Sequence, residues 1–114
     1  MTPQFALREL TGQHTSPRWR IHPGEILREE YLAPLKLSAT ALAKQLHVSP
    51  PTVNDIVRQR RAVTADMAVR LARFFGTTEQ FWLTLQGAYD VSRARERLAH
   101  TLREIRTKAP RAVS

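Results

Sequence analysis

A chain of 114 residues is one domain, long enough to bury a modest core of its own. With 42% hydrophobic residues, 25% charged residues and no cysteine, the composition is that of an ordinary globular protein, and it excludes disulfides and thiolate chemistry. No apolar run approaches the roughly 18–20 residues of a membrane-spanning helix, so no membrane partner is expected.

The net charge of +8 is unevenly placed. Residues 1–20 hold three Arg against one Glu, residues 21–90 eight basic side chains against seven acidic, and residues 91–114 seven against two. Such an excess attracts phosphate polyanions without sequence specificity, and it is equally what a solvated basic tail looks like. The first twenty residues lack the apolar stretch of a signal peptide, which with the absence of cysteine points to the cytoplasm.

In chain order, residues 1–20 mix Gly, Pro, Ser, Thr and Gln with few periodic apolar residues and read as a flexible arm. From His22 the pattern turns helical. "HPGEILREEYLAPL" sets Pro23 at the first helical position and Glu25 in the first turn, where the helix dipole favours a negative charge. Ile26, Leu27, Tyr31 and Leu32 make an apolar face, and Pro34 is expected to end the helix near Ala33. A second helix follows over "SATALAKQL", with Ser38 as cap and Ala39, Leu42, Ala43 and Leu46 at i, i+3, i+4, i+7. His47 and Val48 form a short turn.

Ser49 then caps a third helix, whose first turn takes both Pro50 and Pro51 because the N–H groups there have no intrahelical partner to lose. Val53, Ile56 and Val57 keep the apolar face. Beyond the basic connector "QRRAV", Thr64 caps a fourth helix that places Met67, Ala68, Leu71, Ala72 and Phe75 inward and stops at Gly76. Thr77 with Gln80 predicts a capping box for a fifth, carrying Phe81, Trp82, Leu85 and Tyr89. Ala94, Leu98, Leu102 and Ile105 extend it or form a sixth helix, ended by Pro110. No strand alternation competes, so the expected fold is all-α with five to six helices.

The two short helices at 38–46 and 49–58, joined by about three residues, match the helix-turn-helix unit. Ala43 supplies the small residue where the second helix crosses closely, and Val48 plugs the turn. The second helix then presents Pro50, Pro51, Asn54, Asp55 and Arg58 outward, and in this motif its N-terminal part enters the major groove of DNA.

Residues 20–90 resemble the HigA family of antitoxins, also called VapI-type plasmid-maintenance antidotes. The shared features are "HPGEILREEYL" at 22–32, "VSPPTVNDI" at 48–56, "VTADMAVRLARFFGT" at 63–77 and "FWLTLQ" at 81–86. The resemblance implies a lambda-repressor-like helix-turn-helix domain over 21–90; the basic C-terminal helix and tail over 91–114, read from charge and spacing, lie outside it. It further implies a homodimer that represses its own operon at a palindromic double-stranded operator and neutralises a RelE-like ribonuclease toxin. One departure stands out: where the family has Asn-Gly after the reading helix, this chain has Arg58 and Gln59, which removes the easy left-handed cap and adds a cation.

Carried over by position, Pro50, Pro51, Asn54 and Asp55 are the candidate base readers. Asn pairs with adenine, Asp accepts from cytosine N4, and proline rings touch thymine methyls. Ser38, Thr40, Lys44, Ser49, Thr52, Arg58, Arg60 and Arg61 are the candidate phosphate contacts. Phe81, Trp82 and Leu85 are read as dimer packing, against a plain core role. Arg93, Arg95 and Arg97 read as a solvated face. For the toxin, the arm with Phe5, Leu7, Leu10 and Trp19 is favoured, together with Glu25, Glu29 and Glu30. His14, His22, His47 and His100 have no ligand-like spacing, and no nucleophile–base pair or Gly-rich loop occurs, so neither metal, cofactor nor catalysis is expected. A repressor without a toxin partner and a protein-interaction module that has lost DNA binding are the rival readings.

Overall fold

The structure is a computed structural model and describes residues 21–110. The expected arm at 1–20 and the last residues, 111–114, lie outside the described residues. The described residues form helices and turns with no strand. The first rod begins as α1 (Pro23–Ile26), widens into a π-helical run (Leu27–Leu32) and closes as α2 (Ala33–Leu35). It is followed by α3 (Ala39–Leu46), α4 (Pro50–Val57), α5 (Ala65–Phe75), α6 (Glu79–Arg97) and α7 (Ala99–Glu104).

The core is built from the faces that the helical spacing predicts. Leu42, Ala43, Val53, Ile56, Ala68 and Leu71 are wholly buried, joined by Ile26 and Leu27 from the first rod and Trp82 from α6. Tyr31 stands 5.3 Å from the Trp82 ring and 4.8 Å from Phe75, and Phe81 meets Trp82 edge-on at 5.0 Å. Such tilted and edge-on pairs are the arrangements favoured by ring quadrupoles. The aromatic cluster fastens the first rod to α5 and α6.

Three local expectations are corrected. Pro34 does not end the first helix, which continues to Leu35 and stops at Lys36 in the left-handed region (φ 54°). Across the π run the ladder shifts by one residue, so that Ala33 N–H reaches the Arg28 carbonyl. A widened turn gives the proline ring room beside the carbonyl it would otherwise strike. At the next site, Thr78 rather than Thr77 caps α6, its Oγ1 accepting from Phe81 N–H at 3.0 Å. Thr77 Oγ1 instead accepts from the buried Trp82 Nε1 at 2.8 Å, because a buried indole N–H needs a partner. Finally, the last helix ends at Glu104, not at Pro110, with Ile105 extended. Residues 99–110 are exposed throughout, so no core contact holds a further turn.

Candidate nucleic-acid interface

The surface helix α4 is set by what it packs against. Its inner residues Val53 and Ile56 are fully buried, and Val57 packs on the core edge. Ala43 of α3 is also fully buried, as the small residue under a close crossing, and Val48 fills the turn. The closest approach comes from α1. A Cβ on Gly24 would sit 1.8 Å from the Ile56 carbonyl oxygen, so only a glycine lets the first rod cross the end of α4 at this depth. Arg70 of α5 secures the turn from below, donating to the Leu46 carbonyl at 2.7 Å while paired with Asp66. That places cationic donors on the orphan carbonyls at the end of α3.

The first turn of α4 has an unusual hydrogen-bond pattern. Pro50 and Pro51 occupy its first positions, so the first N–H left is that of Thr52, which reaches the Ser49 carbonyl at 3.0 Å. Ser49 holds the cap position without capping a backbone N–H; its hydroxyl pairs with the Thr52 hydroxyl at 2.9 Å. This helix mouth is therefore poor in free N–H donors. Phosphate contact at this end falls to side chains, not to the peptide groups that usually serve at a helix N-terminus.

The structure brings four of the candidate site residues together. Ser38, Thr40, Lys44 and Pro50 line a single cleft with Ala41 and Val48. Ser49, Pro51, Arg58, Arg60 and Arg61 are exposed, and Thr52, Asn54 and Asp55 are half-buried. Asn54 and Asp55 are already engaged, which the spacing alone could not show. Asn54 Nδ2 donates back to the Pro50 carbonyl at 3.0 Å, and Asp55 faces Arg61 at 3.6 Å. Both partners of this pair keep more than a third of their side-chain surface exposed, so the pairing leaves each side chain accessible.

After α4 the chain closes where the family's glycine is missing. Gln59 itself takes the left-handed conformation (φ 63°), and Arg60 N–H bonds the Asp55 carbonyl at 2.8 Å. The connector is then tied down by two residues that the sequence reading passed over. Gln86, buried in α6, accepts from Val63 N–H at 2.8 Å. His22 accepts from Gly24 N–H on Nδ1 at 2.8 Å and hydrogen-bonds the Arg61 backbone with the rest of its ring. Burial holds its pKa below the ordinary 6.5, with nearby Asp90 and the Arg61 backbone opposing that shift. One neutral imidazole therefore caps the first helix and anchors the cationic connector. A polar residue just before a proline-started helix is a cap signal that sequence could have supplied.

Other expected residues fall elsewhere. Trp82 is fully buried and Leu85 is 3% exposed, so both belong to the core of a single chain, because the aromatic cluster closes over them. Phe81 is half-buried against the same cluster. The acidic group on the first rod is largely used up: Glu30 is buried and Glu29 pairs with Arg28 at 3.1 Å. Glu25 is half-buried. Phe5, Leu7, Leu10 and Trp19 lie outside the described residues. Among the described residues, no group of His, Asp or Glu could hold a metal ion, and no helix is long and apolar enough to cross a membrane.

Two short helices, α3 and α4, packed across a tight turn over the buried Ala43, Val53 and Ile56, define a helix-turn-helix protein of lambda-repressor-like fold, and the helix-turn-helix family model matches residues 27–82. The resemblance extends well past the motif. Virulence-associated protein I of Dichelobacter nodosus is 62% identical over 76 residues, covering 67% of this chain and 70% of that one. Antitoxin HigA-1 of Vibrio cholerae is 36% identical over 74 residues, covering 65% and 70%. The structure of Pseudomonas aeruginosa antitoxin HigA, solved with the higBA promoter, superposes with a TM-score of 0.77 at 48% identity, covering 79% of this chain and 99% of that one. The chain belongs to the HigA family of helix-turn-helix antitoxins, which is not a class of enzymes.

Proposed function

We propose that this protein is an operator-binding antitoxin of the cytoplasm: it represses its own operon as a homodimer on a palindromic site and neutralises a RelE-like ribonuclease toxin. One observation carries the DNA part, the grouping of Ser38, Thr40, Lys44 and Pro50 in a single cleft, with Arg58, Arg60 and Arg61 of the connector exposed. In this reading Pro50, Pro51, Asn54 and Asp55 meet base edges, with Asp55 also orienting Arg61, 3.6 Å away. Ser38, Thr40, Lys44, Ser49, Thr52, Arg58, Arg60 and Arg61 hold the phosphates. Support for the toxin part comes from relatives named as antitoxins.

The test is a titration on DNA from the protein's own upstream region against random DNA. Asn54→Ala is expected to cost about 1–3 kcal/mol on the operator and little on random DNA. Arg60→Ala with Arg61→Ala is expected to weaken both and to lower the salt slope by about 0.9 per lost phosphate contact. No preference for the operator in the unmodified protein would sink the reading. Co-expression with the small reading frame beside the gene tests the toxin part, with rescue from growth arrest as the expected result.

A repressor without a toxin partner is the second reading, and the burial of Glu30 with the Glu29–Arg28 pairing favours it, since that leaves little acidic surface on the first rod for a basic toxin. A neighbouring frame with no toxicity would decide for it.

A further inference from the structure

The connector at residues 58–64 carries Arg58, Arg60 and Arg61, all exposed, yet its backbone is held from the inside at two points. At one, Gln86 Oε1 accepts from Val63 N–H at 2.8 Å while Gln86 Nε2 donates to Asp90 at 2.9 Å. At the other, His22 meets the Arg61 backbone. Because its Nδ1 accepts from Gly24 N–H at 2.8 Å, the ring proton sits on Nε2, which donates to the Arg61 carbonyl. His22 is 3% exposed and Gln86 7%, so both ties are shielded from water. They also share Asp90, which Gln86 holds by its hydrogen bond and which acts on the His22 ring through its charge. Of the other titratable and charged groups around the imidazole, α6 brings Tyr89, edge-on at 4.9 Å. The first rod brings Glu25, whose N–H bonds the His22 carbonyl at 2.9 Å. The connector brings Arg61, whose guanidinium lies 3.6 Å from Asp55 of α4.

We propose that His22 and Gln86 are positioning residues for DNA binding: they fix the connector backbone so that Arg60 and Arg61 are set for phosphate before DNA arrives. The proposal deepens the operator-binding reading above and rests on it. A connector left free would lose its backbone freedom on binding, whereas one tied at Arg61 and Val63 has already lost it on folding. Of the two ties, His22 is the one that titrates. Its Nδ1 must stay unprotonated, because an imidazolium has two donors and no acceptor left for Gly24 N–H. The charged ring would also compete with Gln86 for Asp90 and so slacken the bond to Val63. Burial disfavours that charged form in the fold. The connector is thus in place while His22 is neutral, and DNA binding weakens as pH falls below the ordinary histidine range.

Affinities of the full chain for operator DNA and for a random duplex, measured from pH 7.5 to 5 at low temperature with folding checked by circular dichroism, test this. His22→Asn keeps an acceptor for Gly24 N–H but lacks the Nε2 that reaches Arg61. It is expected to bind both duplexes about threefold more weakly than the unmodified protein at pH 7.5, with the gap closing towards pH 5. The remaining histidines are common to both proteins and cancel in the comparison. Gln86→Leu is expected to weaken binding about tenfold at pH 7.5 and to lower the salt slope. In a background of Arg60→Ala with Arg61→Ala both effects are expected to vanish, which a role in stability alone would not produce. Parallel pH profiles for His22→Asn and the unmodified protein overturn the proposal, as do effects that persist without Arg60 and Arg61. Should Gln86→Leu fail to fold, the His22→Asn comparison decides by itself. Phosphate contact carries no sequence information, so the random duplex reads the connector even where operator preference is missing. A missing preference with these effects present counts against the proposed function alone.

Discussion

Gly24→Ala is the sharpest test of how α4 is held. A methyl group there would lie 1.8 Å from the Ile56 carbonyl oxygen and 2.8 Å from its carbon. Acceptable carbon–oxygen contacts begin near 3.3 Å, so the crossing must open by about 1.5 Å. The obstacle is backbone and cannot rotate away. Overpacking of this kind costs about 1–3 kcal/mol, sometimes more, against a gain of up to about 1 kcal/mol for replacing a helical glycine. A net loss of about 2 kcal/mol lowers the melting temperature of a domain this size by roughly 8–16 °C.

Gly87→Ala is the matched control, because a Cβ at that exposed position of α6 meets nothing within 4 Å. It should stabilise by up to about 1 kcal/mol through propensity alone. Thermal melts followed by circular dichroism at 222 nm compare the two directly. Operator titrations at a temperature where both are folded then ask whether a displaced α4 still reads DNA. If Gly24→Ala melts at or above the unmodified protein, the close crossing does not exist in solution and the account of how α4 is positioned fails.

Two further predictions concern the connector. His22 is held neutral in the fold while the unfolded chain takes up a proton near pH 6.5, so its contribution is complete above that pH and is lost as pH falls through the lowered folded value. Melting temperature should therefore drop between pH 7.5 and 5, and His22→Asn, which keeps a cap acceptor, should flatten that drop; equal slopes in both proteins would refute the assignment. Gln59 sits at φ 63°, a conformation costing a side chain about 1 kcal/mol, so Gln59→Gly should raise stability in urea titrations by about that much, and a loss would mean that the glutamine side chain makes a contact outweighing the strain.

Periodicity made the fold legible wherever one face meets one core. Leu42, Val53, Ile56, Met67 and Leu71 are buried as their spacing predicts, and the exposed face of the second motif helix follows from the same count. What spacing could not reveal is where polar groups find partners across the chain. Thr77 yields the cap to Thr78 because a tryptophan five residues on needs an acceptor. Pro34 is tolerated because the turns before it widen, which depends on packing against Phe75 and Trp82 as much as on local preference. Gln86 looks like an ordinary surface glutamine until Val63, twenty-three residues earlier, is brought against it. Asn54 and Asp55 were readable as polar and outward, but their engagement with Pro50 and Arg61 is a property of the folded turn.

The proline pair at the mouth of α4 also bears on how that helix comes to exist. A helix of eight residues is well below the length at which an isolated helix is stable in water, because fixing the first turn is the unfavourable step. Pro50 and Pro51 have φ near the helical value in the unfolded chain as well, and Pro50 biases the cap residue Ser49 to the extended ψ it adopts (148°), though Pro51 exerts the same extended bias on Pro50. Less backbone freedom is then left to be lost when the turn forms, a saving that resides in the denatured ensemble and not in any contact of the native one. The prolines thereby favour one starting residue for α4 over others in the unfolded chain as well as in the folded one.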